Sequence, residues 1–119
     1  MKLLDGIRVL DMTNVLSGPF STMHLALLGA EVIKIENPEG GDLARKLGAV
    51  PALNQKLMGT SFLAQNANKK SITLNLKVEE AKEIFRQLLK TSDVVVENFR
   101  PGVMDRLGFS YVEMKKINP

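Results

Sequence analysis

The sequence predicts an open, doubly wound α/β layer, Rossmann-like, with a mostly parallel sheet and helices on its faces. Three observations carry this. Short runs of β-branched and aliphatic residues alternate with stretches of helical spacing. A strand, a helix and a second strand all fall within Ile7–Glu36, which implies a parallel pair with a right-handed crossover. A later run, Val94-Val95-Val96, is apolar without alternation, the pattern of a strand covered on both faces.

Ile7–Met12 reads as a buried first strand. Thr13–Pro19 is turn-rich and holds a helix start, with Ser17 or Gly18 as cap and Pro19 suited to the first helical position. Phe20–Leu28 is helical and Gly29 closes it. Glu31–Glu36 alternates as a second strand, and Asn37–Asp42 is a loop. Between Leu43 and Gln65 the apolar residues are scattered around Gly48, Pro51 and Gly59. A helical turn is expected at Leu43–Leu47, then a loop, then a helix at Thr60–Gln65. After the polar turn Asn66–Lys70, Ser71–Leu76 alternates as a third strand. Val78–Lys90 is the clearest helix. Acids stand at its start and bases toward its end, as the helix dipole favours, and Ala81, Ile84, Phe85, Leu88 and Leu89 share one face. Asp93–Glu97 is a fourth strand, expected to be central. The loop Asn98–Gly102 leads to a short helix, Val103–Leu107, ended by Gly108. Ser110 and Glu113 have capping-box spacing for a last helix that stops at Asn118-Pro119.

A chain of 119 residues makes one domain at most. No cysteine is present and only one histidine, which excludes disulfides, thiolate catalysis and a multi-histidine metal site. No apolar run reaches the length of a membrane span. Met1–Asp5 carries an acid and no long apolar stretch follows, so no secretory leader is expected and a cytoplasmic location is. The net charge of +3 is small, and aromatics make up only 5%. Nucleic-acid binding calls for a denser basic stripe with stacking aromatics, so neither nucleic acid nor membrane is an expected partner.

In open α/β sheets ligands bind beyond the carboxyl ends of the strands. The loops Thr13–Pro19, Asn37–Asp42 and Asn98–Gly102 leave those ends. Asn66–Lys70 precedes a strand and reaches that rim only by folding back. The first loop brings a helix N-terminus to the rim, which attracts phosphate or carboxylate, although most such turns bind nothing. Neither GxGxxG nor the Walker glycine-lysine motif is present. Arg100 and Arg106 have forks that match phosphate oxygens, and Phe99 offers a face to a purine. On composition alone an apolar core role for Phe99 and solvated arginines outweigh that reading, and Lys69-Lys70 is equally ambiguous. His24 lies too far along its helix to act with the first loop. Either Asp11 or Asp42 could orient a ligand, but neither has an evident histidine or metal partner, and Asp11 is expected to make a local turn hydrogen bond.

Taken in order, Gly6–Thr13, Val15–Pro19, Leu28–Glu36, Gly40-Gly41-Asp42, Asn68–Ile72, Asp93–Gly102 and Asp105–Gly108 resemble the class III coenzyme-A transferases, the CaiB/BaiF family. The resemblance covers the whole chain. It implies the N-terminal part of a coenzyme-A-binding Rossmann-like domain, in an enzyme that exchanges coenzyme A between an acyl-CoA thioester and a free carboxylic acid. The family's full-length subunits interlock as a homodimer, and no metal is implied. Carried over by position, Val15, Leu16 and Ser17 resemble the loop along the coenzyme. Asn68 and Lys69 resemble the segment at the nucleotide end, and Asn98, Phe99, Arg100 and Arg106 the adenine and phosphate contacts. Asn37 stands where members often carry a basic residue, and Leu16 where some oxalate-handling members carry glutamine. The family's nucleophilic aspartate is expected beyond residue 119, so no catalytic residue is assigned here and the chain alone is expected to be inactive. The strand expected after Pro119 would also be lacking, leaving an open sheet edge. Two alternatives stand beside the transferase reading: an α-methylacyl-CoA racemase of the same family, and a non-catalytic coenzyme-A-binding module completed by another chain.

Overall fold

A computed structural model describes residues 1–119. Four strands form one parallel sheet: β1 (Arg8–Asp11), β2 (Glu31–Glu36), β3 (Lys70–Thr73) and β4 (Val94–Val96). Their order is β3-β2-β1-β4. The chain builds outward from β1 through β2 to β3, then returns to the other side of β1. The strand order therefore reverses between β1 and β4, and a crevice is expected above their carboxyl ends.

Within these 119 residues the fourth strand, expected to be central, is not flanked on both sides. β4 pairs only with β1 and lies at an edge; Val94 is 40% exposed. β1 and β2 are the inner strands, and Val9, Leu10 and Val32 are almost wholly buried.

Helices cover both faces. α1 (Ser17–Leu27) joins β1 to β2, and α4 (Glu79–Lys90) joins β3 to β4. Side chains alternate along a strand, so β1 sends Val9 to the α1 side and Leu10 to the α4 side. On the first side Val9 and Val32 pack with Ala26 and Ala30. On the second, Leu10, Met12 and Ile35 pack with Phe85, Leu89, Met104 and Phe109. Phe85 meets Phe109 edge-on, with centroids 4.6 Å apart, the arrangement favoured by the ring quadrupole. Ala81, Phe85 and Leu89 are buried as their spacing predicts, but Ile84 is 50% exposed, so the packed stripe is narrower than expected.

Other boundaries differ locally. α1 starts at Ser17 with Leu16 at its N-cap and no side-chain cap, rather than being capped by Ser17 or Gly18. β3 begins at Lys70 and ends at Thr73, because Leu74 and Leu76 turn into the α4-side core. The stretch read as a loop contains α2 (Pro51–Gln55), with proline in its first turn. A 3₁₀ turn covers Leu43–Lys46 and α3 covers Thr60–Leu63. α5 (Val103–Leu107) ends at Gly108 in the left-handed conformation, and α6 (Tyr111–Ile117) is capped by Ser110, whose side chain accepts from the Glu113 N–H.

Candidate functional site

The two inner strands change character along their length. On the α1 side, Val9 is followed by Asp11, and Val32 by Lys34 and then Glu36. The alternation that buries the valines thus carries three charged side chains onto the same face at the carboxyl end. All three are nearly inaccessible: Asp11 at 0%, Lys34 at 1% and Glu36 at 5%. A buried charge persists only when paired and hydrogen-bonded.

Every one of them is paired. The Lys69 ammonium lies 2.8 Å from Asp11 Oδ2. It also donates to the Pro19 carbonyl at 2.9 Å and to Asn66 Oδ1 at 2.8 Å. Asp11 accepts further from the Thr13 N–H at 2.9 Å, from the Thr13 hydroxyl and from the Thr22 hydroxyl at 2.7 Å. Burial alone would raise the Asp11 pKa, but the Lys34 charge and the bonds from Lys69, Thr13 and Thr22 outweigh it and hold the carboxyl below its ordinary range. Lys34 Nζ stands 2.9 Å from Asp42 Oδ2, an ion pair without hydrogen-bond alignment, and donates to the Thr13 carbonyl at 2.7 Å. Glu36 receives a two-pronged bond from Arg45, both contacts at 2.7 Å, with further bonds from Ser71 and the Asp42 N–H. Burial opposes the charge of Glu36, yet these donors bring its pKa to about 2.

Above this charged floor lies the Thr13–Ser17 loop, held at each residue from Thr13 to Leu16. Thr13 is bound by Asp11 and Lys34. Asn14 exchanges reciprocal 2.9 Å bonds with the Asn98 amide. The Val15 N–H donates to Asp42 Oδ1 at 3.0 Å. The carbonyls of Val15 and Leu16 accept from the Gln65 amide group, turned to suit its neighbours, at 2.9 and 3.2 Å. Gly18 lies so close to the Thr13 side chain that no Cβ fits there. Val15 has φ 72°, a left-handed conformation that costs a β-branched residue on the order of 1–3 kcal/mol. The side chains of Val15, Leu16 and Ser17 face outward, Leu16 at 59% exposure.

A cavity of about 570 Å³ opens beside this loop at the carboxyl ends of β1, β2 and β3. Met12, Val15, Ile35, Leu74, Leu76 and Phe99 form its apolar wall; Asn37, Lys46 and Lys77 stand on its polar side. An apolar cavity with a few polar groups is what an organic ligand requires.

Of the residues singled out in the sequence, Val15 and Phe99 line this cavity. Leu16 and Ser17 continue the loop beside Val15. Asn98 fastens the loop at Asn14. Arg100 and Arg106 stand exposed on the β4 side of the crevice, with Arg106 folded over Gly102. Asn68 is exposed with φ 63°. Lys69 is different: its three ammonium protons are all taken by protein oxygens. Its loop does fold back to the first loop, through that one buried side chain. Asp11 makes the expected local bond to Thr13 but also anchors Lys69. His24 is exposed on the surface of α1, against Phe20 with centroids 4.4 Å apart. Sequence reasoning missed Lys34, Arg45 and Gln65 as framework, and Leu74–Lys77 as cavity wall; Asp42 was singled out only as a motif residue without an evident partner. The available signal was the period of two, which places Lys34 and Glu36 beside Val32 on a covered face.

This architecture belongs to an established family. The chain is a member of CoA-transferase family III, whose family model matches residues 4–119. It is 50% identical over 118 residues to a formyl-CoA:oxalate CoA-transferase of Streptomyces coelicolor, covering 99% of this chain and 28% of that protein. It is 51% identical over 115 residues to an acetyl-CoA:oxalate CoA-transferase of Acetobacter aceti, covering 97% of this chain and 28% of that protein. The crystal structure of a hypothetical protein from Mycobacterium tuberculosis matches with a TM-score of 0.88 and 44% identity, over 100% of this chain and 31% of that one. A CaiB/BaiF family protein from Brucella suis matches at 0.85 and 36% identity, over 99% and 31%. The chain thus spans about 28% of the length of the curated relatives it matches.

Proposed function

We propose that this chain is the coenzyme-A-binding N-terminal segment of a CoA-transferase that exchanges coenzyme A between an acyl-CoA thioester and a small carboxylic acid. The observation that carries the reading is the Thr13–Ser17 loop, strained at Val15 and fastened from Thr13 to Leu16, at the mouth of a cavity above the strand ends. A loop held so firmly offers its backbone to a ligand without a further cost of ordering. Val15, Leu16 and Ser17 would run along the coenzyme. Phe99 and the Leu74–Leu76 wall suit the apolar faces of adenine. Arg100 and Arg106 suit the phosphates, and Asn98 holds the two loops together. Asn68 presents backbone at the rim, and Lys69 serves by tying that segment to Asp11.

The chemistry would come from a nucleophilic aspartate beyond residue 119. Its carboxylate attacks the thioester carbonyl, coenzyme A leaves as thiolate, and a mixed anhydride forms. The thiolate attacks the aspartyl carbon, releasing the donor acid and leaving an enzyme thioester. The acceptor carboxylate then displaces the thiolate, which attacks the acceptor carbonyl and regenerates the aspartate. The names of the relatives make oxalate the first acceptor to assay, with formyl-CoA and acetyl-CoA as donors. The test uses the full-length protein with isotopically labelled acid. Label appearing in the thioester supports transfer. Exchange of the α-proton of a branched acyl-CoA without label transfer would overturn it in favour of racemisation. Coenzyme-A binding with neither reaction would leave a binding module.

A further inference from the structure

Val15 is the strained point of the loop, and its strain has an identifiable restraint. Asp42 is 0% exposed. Its Oδ1 accepts from the Val15 N–H at 3.0 Å and from the Ala44 N–H at 2.9 Å. Its Oδ2 lies 2.9 Å from Lys34 Nζ, and Lys34 donates to the Thr13 carbonyl at 2.7 Å. One carboxylate therefore grips the loop directly at Val15 and, through Lys34, at Thr13. The Asp42 N–H is itself fixed by Glu36 Oε1 at 2.9 Å, and Glu36 by Arg45. The positive φ values of Gly40 and Gly41 bring the chain round to place Asp42 here.

We infer that Asp42 is a positioning residue for coenzyme recognition: from beneath the loop it selects the left-handed conformation of Val15, and so sets which groups of Val15, Leu16 and Ser17 face the coenzyme. This rests on the reading that the loop meets coenzyme A. Asp42 is wholly covered and acts only through the backbone it holds. A residue that merely stabilised the fold would act equally well whatever stood at position 15. A residue that selects one backbone conformation becomes dispensable when position 15 adopts that conformation freely, as glycine does.

The experiment uses the full-length protein. Lys34→Met with Asp42→Leu removes the buried pair together, so neither charge is left without its partner. Coenzyme-A affinity, measured by calorimetry, is expected to fall about tenfold or more, the range set by the strain at Val15. Amide hydrogen exchange at Val15 and Leu16 is expected to quicken about tenfold or more. Adding Val15→Gly to this double variant is expected to recover at least about threefold of the lost affinity. Unchanged affinity in the double variant, or no recovery with glycine, overturns the inference. Should the double variant fail to fold, Val15→Pro and Val15→Gly decide the matter with the pair intact. Proline lacks the N–H and cannot adopt the required φ, so V15P is expected to bind at least about fivefold more weakly than V15G; equal affinities overturn the inference. If the unaltered full-length protein does not bind coenzyme A, the functional reading fails, and hydrogen exchange alone judges the restraint: unchanged exchange in the variants overturns it.

Discussion

At the scale of single residues, charge burial governs this site. Glu36 is 5% exposed yet has a pKa near 2, against an ordinary 4.5. A carboxyl whose pKa is lower in the folded state contributes stability fully above its unfolded pKa and loses it as pH falls through the folded one. Glu36→Gln is therefore expected to cost up to about 3 kcal/mol at neutral pH. The difference should shrink between pH 4.5 and about 2, which urea melts across that range would reveal. A constant difference would show that Arg45 does not stabilise the ionised form. Arg100 and Arg106 carry the complementary prediction for the ligand. Changing either to alanine in the full-length protein should weaken coenzyme-A binding by about 1.5–3 kcal/mol, and unchanged affinity in both variants would remove them from the phosphate contacts. Val15, Leu16 and Ser17 were expected in a loop after a strand, and that is where they stand, exposed; Phe99, expected on composition to join the core, is half-buried against it. The pairing of Lys34 with Asp42 was not legible. A lysine in an alternating strand reads as solvent-facing unless the helix covering that face is known, and an aspartate after two glycines reads as a turn.

At the scale of elements, the long periodic pieces were the most legible. Val78–Lys90 was expected and Glu79–Lys90 is found, because a face bearing Ala81, Phe85 and Leu89 can bury itself in only one way. Phe85 is 0% exposed against Phe109. Phe85→Ala is expected to cost about 3–5 kcal/mol, measured by denaturant unfolding of the full-length protein; a loss under about 1 kcal/mol would mean the core closes over the gap. The short elements were less legible. α1 starts without a side-chain cap, so no capping residue announces it. β3 is set by register with Ile33–Glu36 rather than by its own alternation. Tertiary context overrides local pattern in both.

At the scale of the molecule, the parallel α/β class was visible in the order of elements, whereas strand order was not. The apolar run Val94–Val96 suits a central strand and an edge strand alike. In this chain β4 lies at the edge, and Val94, Tyr111 and Val112 are exposed near it at 40%, 74% and 60%. A flat apolar edge invites pairing with another copy. The 119-residue chain by itself is expected to associate in sedimentation, with the average mass rising with concentration. A sharp 13.1 kDa species with a cooperative melt would refute this.

The same long-range bonds that fasten the first loop also fix when it can form. Asn14 meets Asn98 across 84 positions, and Lys69 meets Asp11 across 58. At about 5–20 residues per second on the ribosome, Asp11 waits roughly 3–12 s for Lys69 to be made. Until then its carboxylate stays hydrated in the nascent chain, although Lys34 and Asp42, which hold Thr13 and Val15, are already made. The complete set of bonds around the first loop is thus a late product of synthesis, although the loop's own residues are among the first translated. Synonymous slow codons between Asn14 and Asn98 should therefore alter how many molecules mature, and leave each mature molecule the same.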